Sequence, residues 1–153
     1  MMHLRQVLMG IIFRGMRVLL GLMQRIFNLL ALGEWPPFAG VAVILRDGDR
    51  VLFIERSDGN GYGLPGGFVR LDETAEAAAI RETLEETGLH VELEGIVGIL
   101  SGERADTLVR TVDVVYRARI IAGDVRPSGE GTCLWLEPDT IRDEIAFGYG
   151  RLL

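Results

Sequence analysis

Three glutamates fall within five residues of "RETLEETGL", Arg81 to Leu89. Glu82, Glu85 and Glu86 stand at i, i+3 and i+4. On a helix these positions are neighbours, and like charges there repel by roughly 0.2–0.5 kcal/mol per pair. A hard divalent cation such as Mg2+ offsets that repulsion, because it takes carboxylates, waters and substrate phosphates as ligands. The competing reading is a solvated acidic helix face, the usual meaning of a run of charge.

The residues upstream favour the metal. "LPGG", Leu64 to Gly67, precedes the helix. Two successive glycines let backbone approach a ligand closely and can expose a carbonyl as a further oxygen ligand. A helical wheel over 75–87 groups Glu82, Glu85 and Glu86 with Ala75 and Ala78 on one arc of about a hundred degrees. It places Ala77, Ala79, Ile80, Thr83 and Leu84 on the opposite side, which is expected to face the core. Arg81 borders the acidic arc one turn before Glu85, where it can orient carboxylates.

Gly67, Glu73, Arg81-Glu82, Glu85-Glu86 and Gly88-Leu89 together form a longer pattern. The stretch "GGFVRLDETAEAAAIRETLEETGL" resembles the Nudix box of Nudix hydrolases. One position departs: Thr83 stands where the family has an aliphatic residue. The departure bears on packing more than on chemistry. A pattern with this many fixed positions is more specific than a short glycine motif.

The resemblance implies a Nudix-type α/β/α sandwich with a mixed sheet. It also implies Mg2+-dependent hydrolysis, with Mn2+ as the alternative, of a nucleoside diphosphate linked to another moiety. Glu85 and Glu86 would be the main metal ligands. Glu82 would be a ligand or a proton acceptor, and the Gly66 carbonyl a further ligand. Arg81, Glu73, Gly67 and Gly88 would shape the box. The base often lies outside the box in this family, and Glu130 stands at the matching place, with Glu103 as the other candidate. The proline that marks the ADP-ribose type downstream of the box is missing, since Arg104 and Ala105 stand there. The tyrosine of dinucleoside polyphosphate hydrolases is missing too, with Asp106 and Thr107 in that region. Trp35, Phe38 and Tyr62 could stack on a base. Phe38 and Tyr62 read rather as packing, and Trp35 as a helix anchor or interface residue.

These residues need a scaffold. At 153 residues the chain predicts one globular unit, 48% apolar and 25% charged. Strands are expected over 38–45, 51–55, 91–100, 107–121 and 132–136. An extended segment is expected over 64–69, a hairpin turn at Asp47-Gly48 and a short helix opened by Pro138. Helix 75–87 is capped by Thr74 or Asp72 and stopped by Gly88. Mixed in this order, the elements predict an α/β/α layered domain. The single cysteine, Cys133, allows neither an intrachain disulfide nor a multi-cysteine zinc site, and it reads as core. The chain contains no lysine, which excludes a Walker lysine or a Schiff base.

Residues 1–33 stand apart from the catalytic unit expected over 34–153. They hold four arginines and no acid, whereas the remainder holds 12 arginines and 22 acids. The acidic body argues against a nucleic-acid partner. Residues 4–32 predict an amphipathic helix ending at Gly33, with Gln6, Gly10, Arg14, Arg17, Gly21, Gln24, Arg25 and Asn28 on its polar arc. No more than eight residues separate successive arginines, well short of the roughly 18 of a membrane span. The wide apolar arc fits either peripheral membrane contact or a homodimer. The expected location is cytoplasmic, with contact to a membrane surface as one option. Membrane contact would make a lipid-linked or prenyl diphosphate, or a CDP-alcohol, a fitting substrate. A catalytically silent nucleotide sensor or membrane-associated binding module is the alternative function. Such a sensor would be expected to have lost the box acids, and all are present.

Overall fold

The computed structural model describes residues 2–57, 59–103, 109–126 and 131–153. It describes their side chains except those of 2–14, 17, 102 and 103. Helix α1 spans Met2–Leu30. Strands β1 (Phe38–Ile44), β2 (Arg46–Asp47), β3 (Arg50–Arg56), β4 (Tyr62–Gly63) and β5 (Gly66–Phe68) follow. Helix α2 spans Ala75–Thr87, and β6 (Leu89–Glu103), β7 (Arg110–Gly123) and β8 (Gly131–Leu136) complete the strands. One sheet runs β5-β1-β7-β6. Its β1–β7 pair is parallel and the others antiparallel, so the sheet is mixed. In the second sheet β3 pairs with β2, β4 and β8, all antiparallel.

Alternation along the strands divides the core into two layers. Val41, Val43, Leu45 and Leu52 pack with Ala78 and Ala79 beneath α2. Ala42, Ile44, Val51 and Phe53 point the other way, onto Ile141 and Tyr149 of the C-terminal segment. That segment is three short 3-10 turns, Pro138–Thr140, Arg142–Glu144 and Ala146–Arg151, where the sequence predicted a short α-helix. Positive φ at Phe147 and Gly148 breaks the last of them. The layers therefore run helix, sheets, 3-10 turns.

Gly95 and Gly98 do not end β6. Each sits at a register shift against β7, so the glycines mark bulges in one long strand.

Two helix faces differ from the wheel readings. In α2 the buried residues are Ala78, Ala79, Thr83, Glu86 and Thr87, while Ile80 and Leu84 are 41% and 37% exposed. The small Ala and Thr side chains let the helix lie close to the sheet, and this draws Glu86 inward. Buried Thr83 donates its hydroxyl to the Ala79 carbonyl at 2.8 Å, which satisfies its polar group at the position where an aliphatic residue was expected.

In α1 the docked stripe is the polar one. Gly21 and Gln24 are buried, whereas Leu19, Leu22, Ile26 and Leu30 are exposed. The Gln24 amide accepts from the Arg110 N–H (2.8 Å) and donates to the Arg110 carbonyl (3.0 Å). β1 begins at Phe38 opposite Thr111, one residue short of Arg110. Gln24 thus supplies the pairing that a longer β1 would have given. The helix ends at Leu30, and hydrogen-bonded turns carry the chain on to Gly33.

Candidate active site

β5 is an edge strand, and its ladder decides what it shows to α2. Val43 N–H donates to the Pro65 carbonyl and Val69 N–H to the Ala39 carbonyl. Pairing in an antiparallel ladder alternates, so residues 65, 67 and 69 point their polar groups at β1. Gly66 and Phe68 point theirs away, toward the helix. Accordingly Gly66 N–H donates to Glu86 Oε2 at 2.8 Å, and the Phe68 carbonyl accepts from Arg81 Nη2 at 3.3 Å. The Gly66 carbonyl lies on this same outward side.

Both glycines are required by close approach. A Cβ on Gly66 would lie 2.1 Å from the Val41 carbonyl oxygen, and one on Gly67 would lie 2.6 Å from the Glu82 carboxylate. Gly88 caps α2 in the left-handed conformation, φ 77°. Thr74 caps the other end, accepting from Ala77 N–H.

Arg81 ties the acids together. Nε and Nη2 grip both Glu73 oxygens, at 2.9 and 2.5 Å. Nη1 reaches Glu82 Oε1 at 2.7 Å and Glu85 Oε2 at 3.3 Å. With the bond to the Phe68 carbonyl, all five guanidinium donors are used. The bidentate fork is the strong form of this pairing. It holds the Glu73 carboxyl down at about 2, chiefly through the Arg81 hydrogen bonds. The same contacts raise the Arg81 pKa, against the opposing effect of burial. Glu73 also accepts from Arg70 N–H at 2.8 Å, which closes the loop before α2.

The three acids sit in graded environments. Glu86 is buried at 5% exposure. The Glu82 side chain is 15% exposed and that of Glu85 52%. Arg70 stands 3.6 Å from Glu85 on its open side. Among the described residues, no three carboxylate, imidazole or thiolate groups are gathered to hold a metal ion. Arg81 Nη1 lies between Glu82 and Glu85 and is the cation those two carboxylates share here. The donor set nevertheless suits a hard cation, since Glu82, Glu85, Glu86 and the Gly66 carbonyl all offer oxygen.

The other predicted residues are dispersed. Tyr62 packs edge-on to Phe53, 6.5 Å between ring centroids, in the layer above the C-terminal turns. Phe38 packs on Phe68 at 5.6 Å, next to the carbonyl that Arg81 holds. Glu130 lies outside the described residues, as do Arg104, Ala105, Asp106 and Thr107. Glu103 closes β6, and its side chain also lies outside them. Cys133 packs against the core beneath α2, with Sγ 3.5 Å from the Glu86 carbonyl. Burial, and then the nearby Glu86 charge, push its thiol pKa up, so it is a core thiol rather than a nucleophile. Sequence reasoning missed Phe68, whose carbonyl is a fixed point of the arginine network. The only signal for it was its place after the two glycines.

The comparisons agree with this geometry. The NUDIX domain profile matches residues 36–153. A MutT-like protein of Streptomyces ambofaciens is 37% identical over 123 residues, 77% of this chain and 77% of that one. An ADP-ribose pyrophosphatase of Methanocaldococcus jannaschii is 31% identical over 93 residues, covering 59% of this chain and 55% of its own. The solved structure of a MutT protein from Methanosarcina mazei shares the fold at a TM-score of 0.65 and 24% identity, over 78% of this chain and 91% of that one. Matched box, matched layers and a profile over most of its length place this chain in the Nudix hydrolase family, as a pyrophosphohydrolase.

Proposed function

We infer that residues 34–153 hydrolyse a diphosphate bond in a nucleoside diphosphate linked to another moiety, using a divalent metal, Mg2+ or Mn2+. The observation that carries this reading is the five-donor Arg81 network, which fixes Glu82 and Glu85 beside the Gly66 edge of β5. Glu82, Glu85, Glu86 and the Gly66 carbonyl would hold the metal. When bound, it neutralises diphosphate charge and lowers the pKa of a coordinated water.

The chain's own residues do the rest. Arg81 and Glu73 keep the carboxylates at fixed positions, so little reorganisation is needed as charge develops on the diphosphate. Glu85, half exposed, is the acid most open to a substrate-bound cation. Glu82, whose carboxylate fills the space a Cβ on Gly67 would take, would be a metal ligand or a proton acceptor. Glu130, with Glu103 as the other candidate, would be the base that takes the water's proton, as the family resemblance implies. Phe38 and Tyr62 each make a ring contact, with Phe68 and Phe53, which supports packing over a stacking role on the base.

The test is a hydrolysis panel with and without Mg2+. It holds ADP-ribose, 8-oxo-dGTP, nucleotide sugars, dinucleotides, CDP-alcohols and prenyl diphosphates. Glu85→Gln is expected to abolish metal-dependent turnover with little change in melting temperature, since its carboxylate is half exposed. Unchanged turnover in that variant refutes the metal assignment. Ligand binding without turnover across the panel replaces this reading by the nucleotide sensor.

A further inference from the structure

Docking by the polar stripe inverts the usual arrangement of α1. Gln24 is 6% exposed and bonded twice to the Arg110 backbone, so the helix is held with its apolar side outward. Leu19, Leu22, Ile26 and Leu30 are 58%, 46%, 58% and 73% exposed. With Val18 and Phe27, they span about half the circumference at 3.6 residues per turn. A partner helix would cover only the narrower seam of a coiled coil. A flat surface covers the whole half-circle.

Charge selects which surface. Residues 1–33 hold four arginines and no acid. Arg25 is exposed at the margin of the apolar half, and Arg14 shares that margin on the wheel. At the helix's C-terminal end Trp35 stacks on Phe27, 4.9 Å between centroids and 22° between planes, and remains 42% exposed. A basic margin, an apolar half and a terminal tryptophan are the features of a helix lying in the interface of an anionic bilayer.

We propose that the outward face of α1 docks onto the surface of an anionic phospholipid bilayer, with the catalytic body carried above it on the Gln24–Arg110 seat. Trp35 is three residues from Phe38, whose ring meets Phe68 beside the arginine network.

The test is co-sedimentation of the full-length protein with vesicles of phosphatidylglycerol and phosphatidylcholine, against phosphatidylcholine alone. Binding to the anionic vesicles alone, weakened from 0.1 M to 1 M salt as the screening length shrinks, supports the proposal. Leu22→Glu and Ile26→Glu should each reduce partitioning by about tenfold or more. Ile99→Glu, an equally exposed position on β6, should leave it unchanged. Melting curves establish that each variant is folded, and Leu22→Ala serves where the glutamate is not tolerated. Failure to bind anionic vesicles overturns the proposal, and equal binding to both vesicle types overturns the choice of an anionic surface. A dimer in sedimentation velocity that Leu22→Glu dissociates, with no vesicle binding, assigns the face to a second copy of the chain.

Discussion

Replacing Gly67 by alanine separates the site from the scaffold. Gly67 is not among the residues at positive φ, so alanine fits its backbone. What stands in the way is the Glu82 carboxylate, 2.6 Å from the added Cβ. Non-bonded carbon contacts settle at about 3.5 Å, so the carboxylate must retreat by about 1 Å. That retreat costs little stability, because the obstacle is the far end of a flexible side chain. It pulls Glu82 off the 2.7 Å bond to Arg81. A misplacement of about 1 Å in a catalytic group lowers turnover by about 100-fold, or about 2.7 kcal/mol on the barrier. Gly66→Ala is the control: there the obstacles are the Val41 carbonyl and the Ala42 Cα, at 2.1 and 2.7 Å. Backbone cannot step aside, so this variant should lose stability as well as activity. Steady-state kcat on the best panel substrate, paired with thermal melts, reads both effects. Wild-type turnover in Gly67→Ala would refute the role of Glu82, and an unfolded Gly67→Ala would refute the claim that only a carboxylate blocks the position.

Three further outcomes follow from the same geometry. Arg81→Lys keeps the charge but offers three donors where five are used, so kcat should fall by about 100-fold or more; near wild-type kcat would show that the network is dispensable. Glu73 has its folded pKa lowered to about 2 from 4.5. The unfolded chain therefore binds more protons within that window. The contribution is full above pH 4.5 and is lost as pH falls toward 2. The difference in urea midpoint between the wild type and Glu73→Gln should shrink across that window, and a constant difference would contradict the assignment. Cys133, its thiol pKa raised by burial, should react with iodoacetamide at pH 7 far more slowly than the unfolded chain does, which mass spectrometry reads.

Much of this was legible in the chain. The span of α2, its Thr74 and Gly88 caps, the hairpin at Asp47-Gly48 and the grouping of the three acids depend on neighbours a few residues apart. Capping, turn geometry and helical periodicity act at that range, so sequence alone determined them. Which way a helix faces is decided by partners far away in the chain. The wheel set Ile80 and Leu84 inward, yet close packing of Ala78, Ala79 and Thr83 on the sheet turned them out and buried Glu86. The polar arc of α1 was visible in the sequence. Only tertiary structure showed that it is the docked face, because Gln24 finds its partner in the backbone of Arg110, 86 residues on. The arginine network divides in the same way. The contact from Arg81 to Glu85 follows from the i, i+4 spacing of a helix. Its hold on the Phe68 carbonyl exists only because strand pairing with β1 turned that carbonyl outward.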